Sequence, residues 1–252
     1  MRVAPAPRPA PNVAEPTPAA APAASREPAD DNQRALRAAL SVIAERLDIV
    51  RHHAQAAPRR AQSVPFERAQ QLELDRASRL AHAAVAVAGE TPLARREVTA
   101  GDLTNRAMKD VAALRRFSGI RYETSVEDAD YRIAIDPAAA SQAIAGALDA
   151  FSDLVGASQD PDDDPIVRLK VHAVQPRPAL MIEISATGIA VSDDALAAFF
   201  EPVPACHPAG AEAALLLNAS ARVARAHGGR ADVRRNGDEV VALLVFPRSA
   251  HL

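Results

Sequence analysis

The chain has 252 residues, a formal net charge of −3, no tryptophan, 2 tyrosines and 6 phenylalanines. So few aromatic side chains and so little net charge exclude a base-stacking platform and the basic footprint of a nucleic-acid-binding protein. The single cysteine, Cys206, excludes an intramolecular disulfide and a cysteine-rich zinc site. No apolar run reaches the roughly 20 residues that cross a bilayer, and the first residues lack the apolar core of a secretory signal. We therefore expect a cytoplasmic protein with no membrane insertion, no metal and no nucleic-acid partner.

Residues 1–31 differ in composition from the rest of the chain. They contain eight prolines and ten alanines. Because proline disfavours the interiors of helices and sheets, this segment predicts a disordered or polyproline-like arm.

Residues 32–93 carry the pattern of two helices. The spacing of 4, 3 and 4 residues along the first helix places four apolar side chains on one seam, which is typical of a helical bundle and predicts a dimer interface: Leu36, Leu40, Ile43 and Leu47. Prolines interrupt the pattern at 58 and 65, and a second apolar stripe runs from Phe66 to Val87. Because a lone hairpin cannot bury both faces, we expect an antiparallel hairpin that forms a four-helix bundle as a homodimer.

The remaining residues alternate between strand and helix signals. A capping box at 99–102 opens one helix, and Asp136 with Pro137 opens another. Alternating segments predict strands at 120–126, 131–135, 166–174 and 179–185, and a short helix begins near Ser192. A helix at 211–226 ends at Gly228, and the pair Asn236-Gly237 predicts a closing hairpin. This order predicts an α+β fold, a two-layer α/β sandwich.

Five segments in this order resemble the core of bacterial histidine kinases, a helical-hairpin dimerisation domain followed by a Bergerat-type ATPase domain, over residues 32–248. Segment 93–114 is similar to the linker strand and first helix, 135–154 to the asparagine-box helix, and 182–191 to the first glycine box. Segment 198–203 resembles the phenylalanine box, and 210–246 the second glycine box with its helix and hairpin. The resemblance implies three parts: the arm 1–31, a hairpin domain 32–93 and an ATPase-like domain 94–252.

The residues that bind nucleotide in that family differ here. The resemblance places Gly146 and Ala150 where the family has asparagines, the second of which holds Mg²⁺, and neither can ligate a hard cation. Ala186 stands where an aspartate recognises adenine; Gly188 is kept, and the next glycine is Ala190. The glycines of the second box are replaced by Glu212, Ala214 and Leu216. We therefore predict a degenerate site, with no catalytic residue, no bound cofactor and no metal.

The phosphoacceptor motif is also altered. Segment 34–43 aligns with it so that Arg34 replaces the histidine, and a guanidinium, which is always protonated, is a poor nucleophile. We interpret Arg34, Arg37 and Ser41 as candidate partner-binding residues. His52 and His53 are alternative phosphoacceptors, although no acidic residue follows either of them.

Three functions follow from these residues. The first is a non-catalytic, pseudokinase-like protein of two-component signalling that dimerises and binds a response-regulator receiver domain or another kinase. The second is an enzyme, a kinase or a phosphorelay phosphotransferase that uses His52 or His53. The third is an ATPase-fold binder of another branch, similar to anti-sigma factors. The lost asparagines and glycines favour the first function.

Overall fold

The computed structural model describes residues 64–88, 93–115, 119–158, 165–201, 207 and 210–248, together with the helical residues 36, 40, 43, 47 and 49. The helices in the continuous segments are α1 (Val64–Ala88), α2 (Ala100–Arg115), α3 (Pro137–Ser158), α4 (Asp193–Ala197) and α5 (Gly210–Ala226). The strands are β1 (Arg96–Thr99), β2 (Arg121–Val126), β3 (Arg132–Ile135), β4 (Ile166–Val174), β5 (Ala179–Thr187), β6 (Arg230–Asn236) and β7 (Glu239–Pro247).

Five of the strands form one mixed sheet in the order β2-β4-β5-β7-β6, in which β2 and β4 are parallel and the other pairs antiparallel. Strands β1 and β3 pair separately as an antiparallel ribbon. Alternate residues of β4, β5 and β7 are buried against α2, α3 and α5. The opposite face carries charged side chains on β4 and β5, such as Arg168, Lys170 and Glu183, and apolar ones on β7, such as Leu243 and Val245. The predicted α+β sandwich is confirmed.

Local capping signals explain where the helices begin. The Thr99 hydroxyl accepts a hydrogen bond from the Asp102 amide at 3.1 Å, as the capping box predicts. The Asp136 carboxylate accepts from Ala138 and Ala139 at 2.9 and 3.0 Å, and Ser192 caps α4 in the same way. These three predictions are confirmed.

The closing hairpin is confirmed with its turn one residue further along. Asn236 pairs with Glu239, so that the two-residue loop is Gly237-Asp238 rather than Asn236-Gly237. Gly237 has φ of 67°, the positive value that the first loop residue adopts in both type I′ and type II′ turns.

Helix α1 packs directly on the sandwich. The predicted stripe of this helix, Ala77, Leu80, Ala84 and Val87, is buried, and its last three members belong to the same hydrophobic cluster as α3 and α5. The side that we expected to pack within a separate hairpin therefore contacts the ATPase-like part of the chain.

Candidate functional site

The amino end of α3 is fixed by a histidine at the end of α5. His227 is 2% exposed; its Nε2 accepts from the Asp136 amide at 3.0 Å, and its Nδ1 donates to the Val223 carbonyl at 2.8 Å. Burial lowers the pKa of His227. The imidazole is therefore neutral with its proton on Nδ1, and it joins the two helices that carry the asparagine-box and second-glycine-box positions.

Asp136 completes this junction. Burial acts to raise the pKa of this carboxyl, but hydrogen bonds from the amides of Ala139, Ala94 and Ala138 outweigh it, so the pKa lies below its usual value. Asp136 is thus ionised at neutral pH and holds both the start of α3 and the segment before β1.

The asparagine-box face of α3 is in contact with α5. A Cβ built on Gly146 would lie 3.5 Å from both Leu216 Cδ2 and Ser220 Oγ. The Ser220 hydroxyl is itself 2.7 Å from the carbonyls of Ala143 and Leu216. Leu216, which stands at a glycine position of the second box, therefore covers the position where the family has its first asparagine.

The two other recognition positions are apolar and closed. Ala150 and Ala186, which the resemblance matches to the Mg²⁺-holding and adenine-recognising positions, are each 0% exposed. Ala186 lies on β5 between Val167 and Val240 of the neighbouring strands. Neither alanine offers a polar group to a ligand.

The loop of the first glycine box keeps one family feature. Gly188 is exposed with φ of 72°, and Ala190 is also exposed. The Val191 carbonyl that follows accepts a hydrogen bond from Arg235 Nη2. Gly188 therefore has a left-handed backbone conformation at the surface, whereas Ala150 and Ala186 are buried.

Helix α5 is tied to the phenylalanine-box segment through its middle and to α1 through its first turn. Asn218 Nδ2 donates to the Phe200 carbonyl at 2.7 Å, and the Phe199 ring meets Phe151 of α3 edge to face at 5.9 Å. Ala214 is buried, and the Glu212 carboxylate lies 2.7 Å from Arg76 of α1. Of the residues at the second-box positions, Ala214 is therefore packed in the interior and Glu212 is engaged in an ion pair.

Two arginines of α1 that the sequence analysis missed reach acidic residues of α3. Arg76 Nη2 lies 3.2 Å from Asp153 Oδ2, and Arg79 Nη1 lies 3.6 Å from Asp149 Oδ2. The signal that could have found them is a pair of aspartates, four residues apart, inside an otherwise apolar helix, since a buried carboxylate requires a cation.

Of the predicted seam, the structure places two residues outwards and two partly inwards. Leu40 and Leu47 are 55% and 49% exposed, whereas Leu36 and Ile43 are half-buried and Ile43 packs against the core. The other candidates of this region lie outside the described residues: Arg34, Arg37, Ser41, His52 and His53. Within the described ranges, no cluster of three or more His, Cys, Asp or Glu side chains could hold a metal ion. Those same ranges contain no helix of the length and apolarity needed to cross a membrane.

No family model matches the chain, and no curated protein matches its sequence. Solved structures do match. ShkA full-length in complex with AMPPNP gives a TM-score of 0.58 at 18% identity, covering 88% of this chain and 47% of that one. Histidine kinase ThkA in complex with response regulator TrrA gives a TM-score of 0.56 at 12% identity, and the match covers 85% of this chain and 59% of that one. Acinetobacter baumannii histidine kinase AdeS gives a TM-score of 0.52 at 12% identity, and the match covers 85% of this chain and 97% of that one. The mixed sheet and its helices therefore have the fold of the histidine kinase ATPase domain.

Proposed function

We propose that this protein is a non-catalytic, histidine-kinase-like component of two-component signalling that acts by dimerising and by binding a receiver domain or another kinase. The observation that carries the proposal is the contact of Leu216 with Gly146, together with the complete burial of Ala150 and Ala186. The positions that would hold Mg²⁺ and adenine present methyl groups within a packed interior.

Magnitudes support the loss of nucleotide binding. A hydrogen bond to a charged group is worth about 1.5–3 kcal/mol, so losing the adenine contact and the metal anchor costs about 3–6 kcal/mol. A micromolar site has only about 8 kcal/mol of binding free energy in total. The remaining binding free energy is about 2–5 kcal/mol, a dissociation constant from a few tenths of a millimolar to tens of millimolar, before the cost of displacing Leu216 is counted.

Exposed apolar side chains on the helical segments support the dimer. Leu40, Leu47, Leu74 and Val85 are 44–60% exposed. Burying each of them against a second copy contributes up to about 1.5–3 kcal/mol. In this proposal residues 32–93 provide the dimer contact, 94–252 the ATPase-like body, and the proline-rich arm 1–31 lies outside both.

A receiver domain is the partner class that the fold suggests. Histidine kinase ThkA, which shares this fold, is seen in complex with response regulator TrrA. We place the receiver contact around Arg34, Arg37 and Ser41, since a guanidinium can form bidentate ion pairs with the acidic pocket of a receiver. Arg34 would then hold a receiver without transferring phosphate.

The enzymatic alternative requires a phosphoacceptor at His52 or His53 and a phosphoryl donor. It is distinguished by incubating the protein with Mg-ATP or with a phosphorylated receiver. Acid-labile phosphate on the wild type, absent from a His52→Gln/His53→Gln variant, would establish a phosphotransferase.

The proposal is tested by light scattering and by capture of receivers. We expect a dimer at tens of micromolar, and monomers that keep their fold for Leu40→Glu/Leu47→Glu, because both side chains are exposed. Ile43→Glu should instead destabilise the fold, because Ile43 contacts the core. A monomeric wild type contradicts the dimer. Captured receivers whose affinity is unchanged in Arg34→Ala and Arg34→Glu contradict the placement of the contact.

A further inference from the structure

Helix α1 covers a particular face of the ATPase-like body. At about 100° per residue, Gly146, Asp149, Ala150 and Asp153 of α3 lie within an arc of about 100°. The asparagine-box positions and the two aspartates therefore share one face of α3. That face contacts α5 through Gly146 and α1 through the aspartates.

Helix α1 is attached to α3 and α5 by ion pairs that are largely shielded from water. Arg76 bridges Asp153 and Glu212, with side chains 25%, 19% and 13% exposed. One guanidinium thus joins α1 to both α3 and α5. Exposed surface pairs are worth little, but pairs shielded to this degree are screened much less by solvent and salt.

The second pair is more deeply buried. Asp149 is 2% exposed, and Arg79, whose side chain is 14% exposed, approaches it at 3.6 Å. Arg79 Nη2 also donates to the Asp110 carbonyl on α2 at 2.9 Å. Asp149 is thus held away from water with the Arg79 guanidinium beside it, and removing that cation would weaken the compensation of its buried charge.

We propose that α1 is a built-in cover that packs on α5 and on the aspartate-bearing face of α3, fastened by Arg76 and Arg79, so that α1 and the ATPase-like body form one unit. The acidic side chains of this face form ion pairs with Arg76 and Arg79 of the same chain. The position of α1 on the body is then set by contacts within the chain. This proposal does not depend on whether nucleotide binding is lost.

The test follows from the logic of buried ion pairs. Removing one partner leaves an uncompensated charge, whereas replacing both by apolar side chains is tolerated. We would measure amide hydrogen exchange of the full-length wild type, Arg79→Met, Asp149→Leu and the double variant. Arg106→Met, on the exposed side of α2, serves as the matched control.

We expect Arg79→Met to speed exchange in residues 71–87 at least tenfold while β4, β5 and β7 keep their protection. In the double variant the exchange rate of these residues should return to within about threefold of the wild-type rate. Arg106→Met should exchange at the wild-type rate. Arg76→Glu, which reverses two contacts at once, should also speed exchange selectively in α1.

Two results overturn the proposal. Unchanged exchange of α1 in both Arg79→Met and Arg76→Glu would mean that the arginines do not fasten it. Loss of protection in the sheet together with α1 would mean that α1 is an inseparable part of the core and not a cover. Calorimetry with Mg-ATP separates this proposal from the proposed function. Binding by Arg79→Met alone would support the cover and contradict the loss of the nucleotide-binding residues.

Discussion

The contact between Gly146 and Leu216 makes a sharp prediction about which side chains α3 accepts. A Cβ at 146 would sit 3.5 Å from Leu216 Cδ2 and Ser220 Oγ and 3.7 Å from Leu216 Cβ, all ordinary van der Waals distances. Gly146→Ala therefore meets no clash and gains about 1 kcal/mol from the higher helix propensity of alanine. The melting temperature should rise by about 2–4 °C.

Gly146→Asn restores the residue that the histidine kinase family has at this position, and the expected effect has the opposite sign. Any atom beyond Cβ must displace Leu216, which costs about 1–3 kcal/mol as overpacking. The buried amide adds about 1–3 kcal/mol where it finds no partner. The small gain in helix propensity over glycine does not offset these costs, so we expect a net loss of about 2 kcal/mol or more.

Gly156 provides the matched control on the same helix. It is exposed, and an added Cβ there meets no atom within 4 Å. Alanine and asparagine at 156 should both be neutral or slightly stabilising, as propensity alone dictates. Urea unfolding of the four variants measures the difference. If Gly146→Asn is as stable as Gly156→Asn, the asparagine-box face is not packed against α5 and the reasoning is wrong.

Three further predictions concern the junctions around α5. Gly229→Ala should lower stability by several kcal/mol or prevent folding, because its Cβ would lie 1.7 Å from the Val245 carbonyl oxygen, and wild-type-like urea unfolding would contradict this. Stability should fall as the pH drops below about 6.5, because the pKa of His227 is lowered in the fold and the unfolded chain binds the proton at higher pH. His227→Gln should lose less stability than the wild type between pH 7.5 and 5, and equal losses would argue against this role of His227. Asn218→Ala should cost about 1–3 kcal/mol by leaving the Phe200 carbonyl unpaired, and thermal unfolding unchanged from the wild type would exclude that hydrogen bond as a contributor.

The elements governed by local chemistry could be predicted from the sequence. Caps at Thr99, Asp136 and Ser192 depend on side chains within three residues of the helix start, and all three lie where the pattern puts them. The turn at Gly237 shifted by one residue because Asn-Gly and Gly-Asp both satisfy a two-residue loop. In that case only the pairing of Asn236 with Glu239 decides the register.

The docking of α1 could not be predicted, because it depends on contacts between residues far apart in the sequence. The stripe that contains Leu80 and Val87 is equally suited to a second helix, a second copy or the sandwich, and periodicity does not choose among them. Helix α1 lies mainly on α5, and its Arg76 and Arg79 pair with aspartates of α3 that lie 77 and 70 residues further along the chain. Similarly, the seam residue Ile43 turns towards the core while Leu40 remains exposed, a division that a regular spacing cannot reveal.

The central proposal is that the protein does not bind nucleotide at the positions that resemble the nucleotide site of histidine kinases. It is tested most directly by calorimetric titration of the full chain with Mg-ATP at physiological salt. We expect no saturable binding up to the millimolar range, because Ala150 and Ala186 are buried and Leu216 packs against Gly146. A dissociation constant below about 100 μM, equivalent to about 5.5 kcal/mol, would contradict the account.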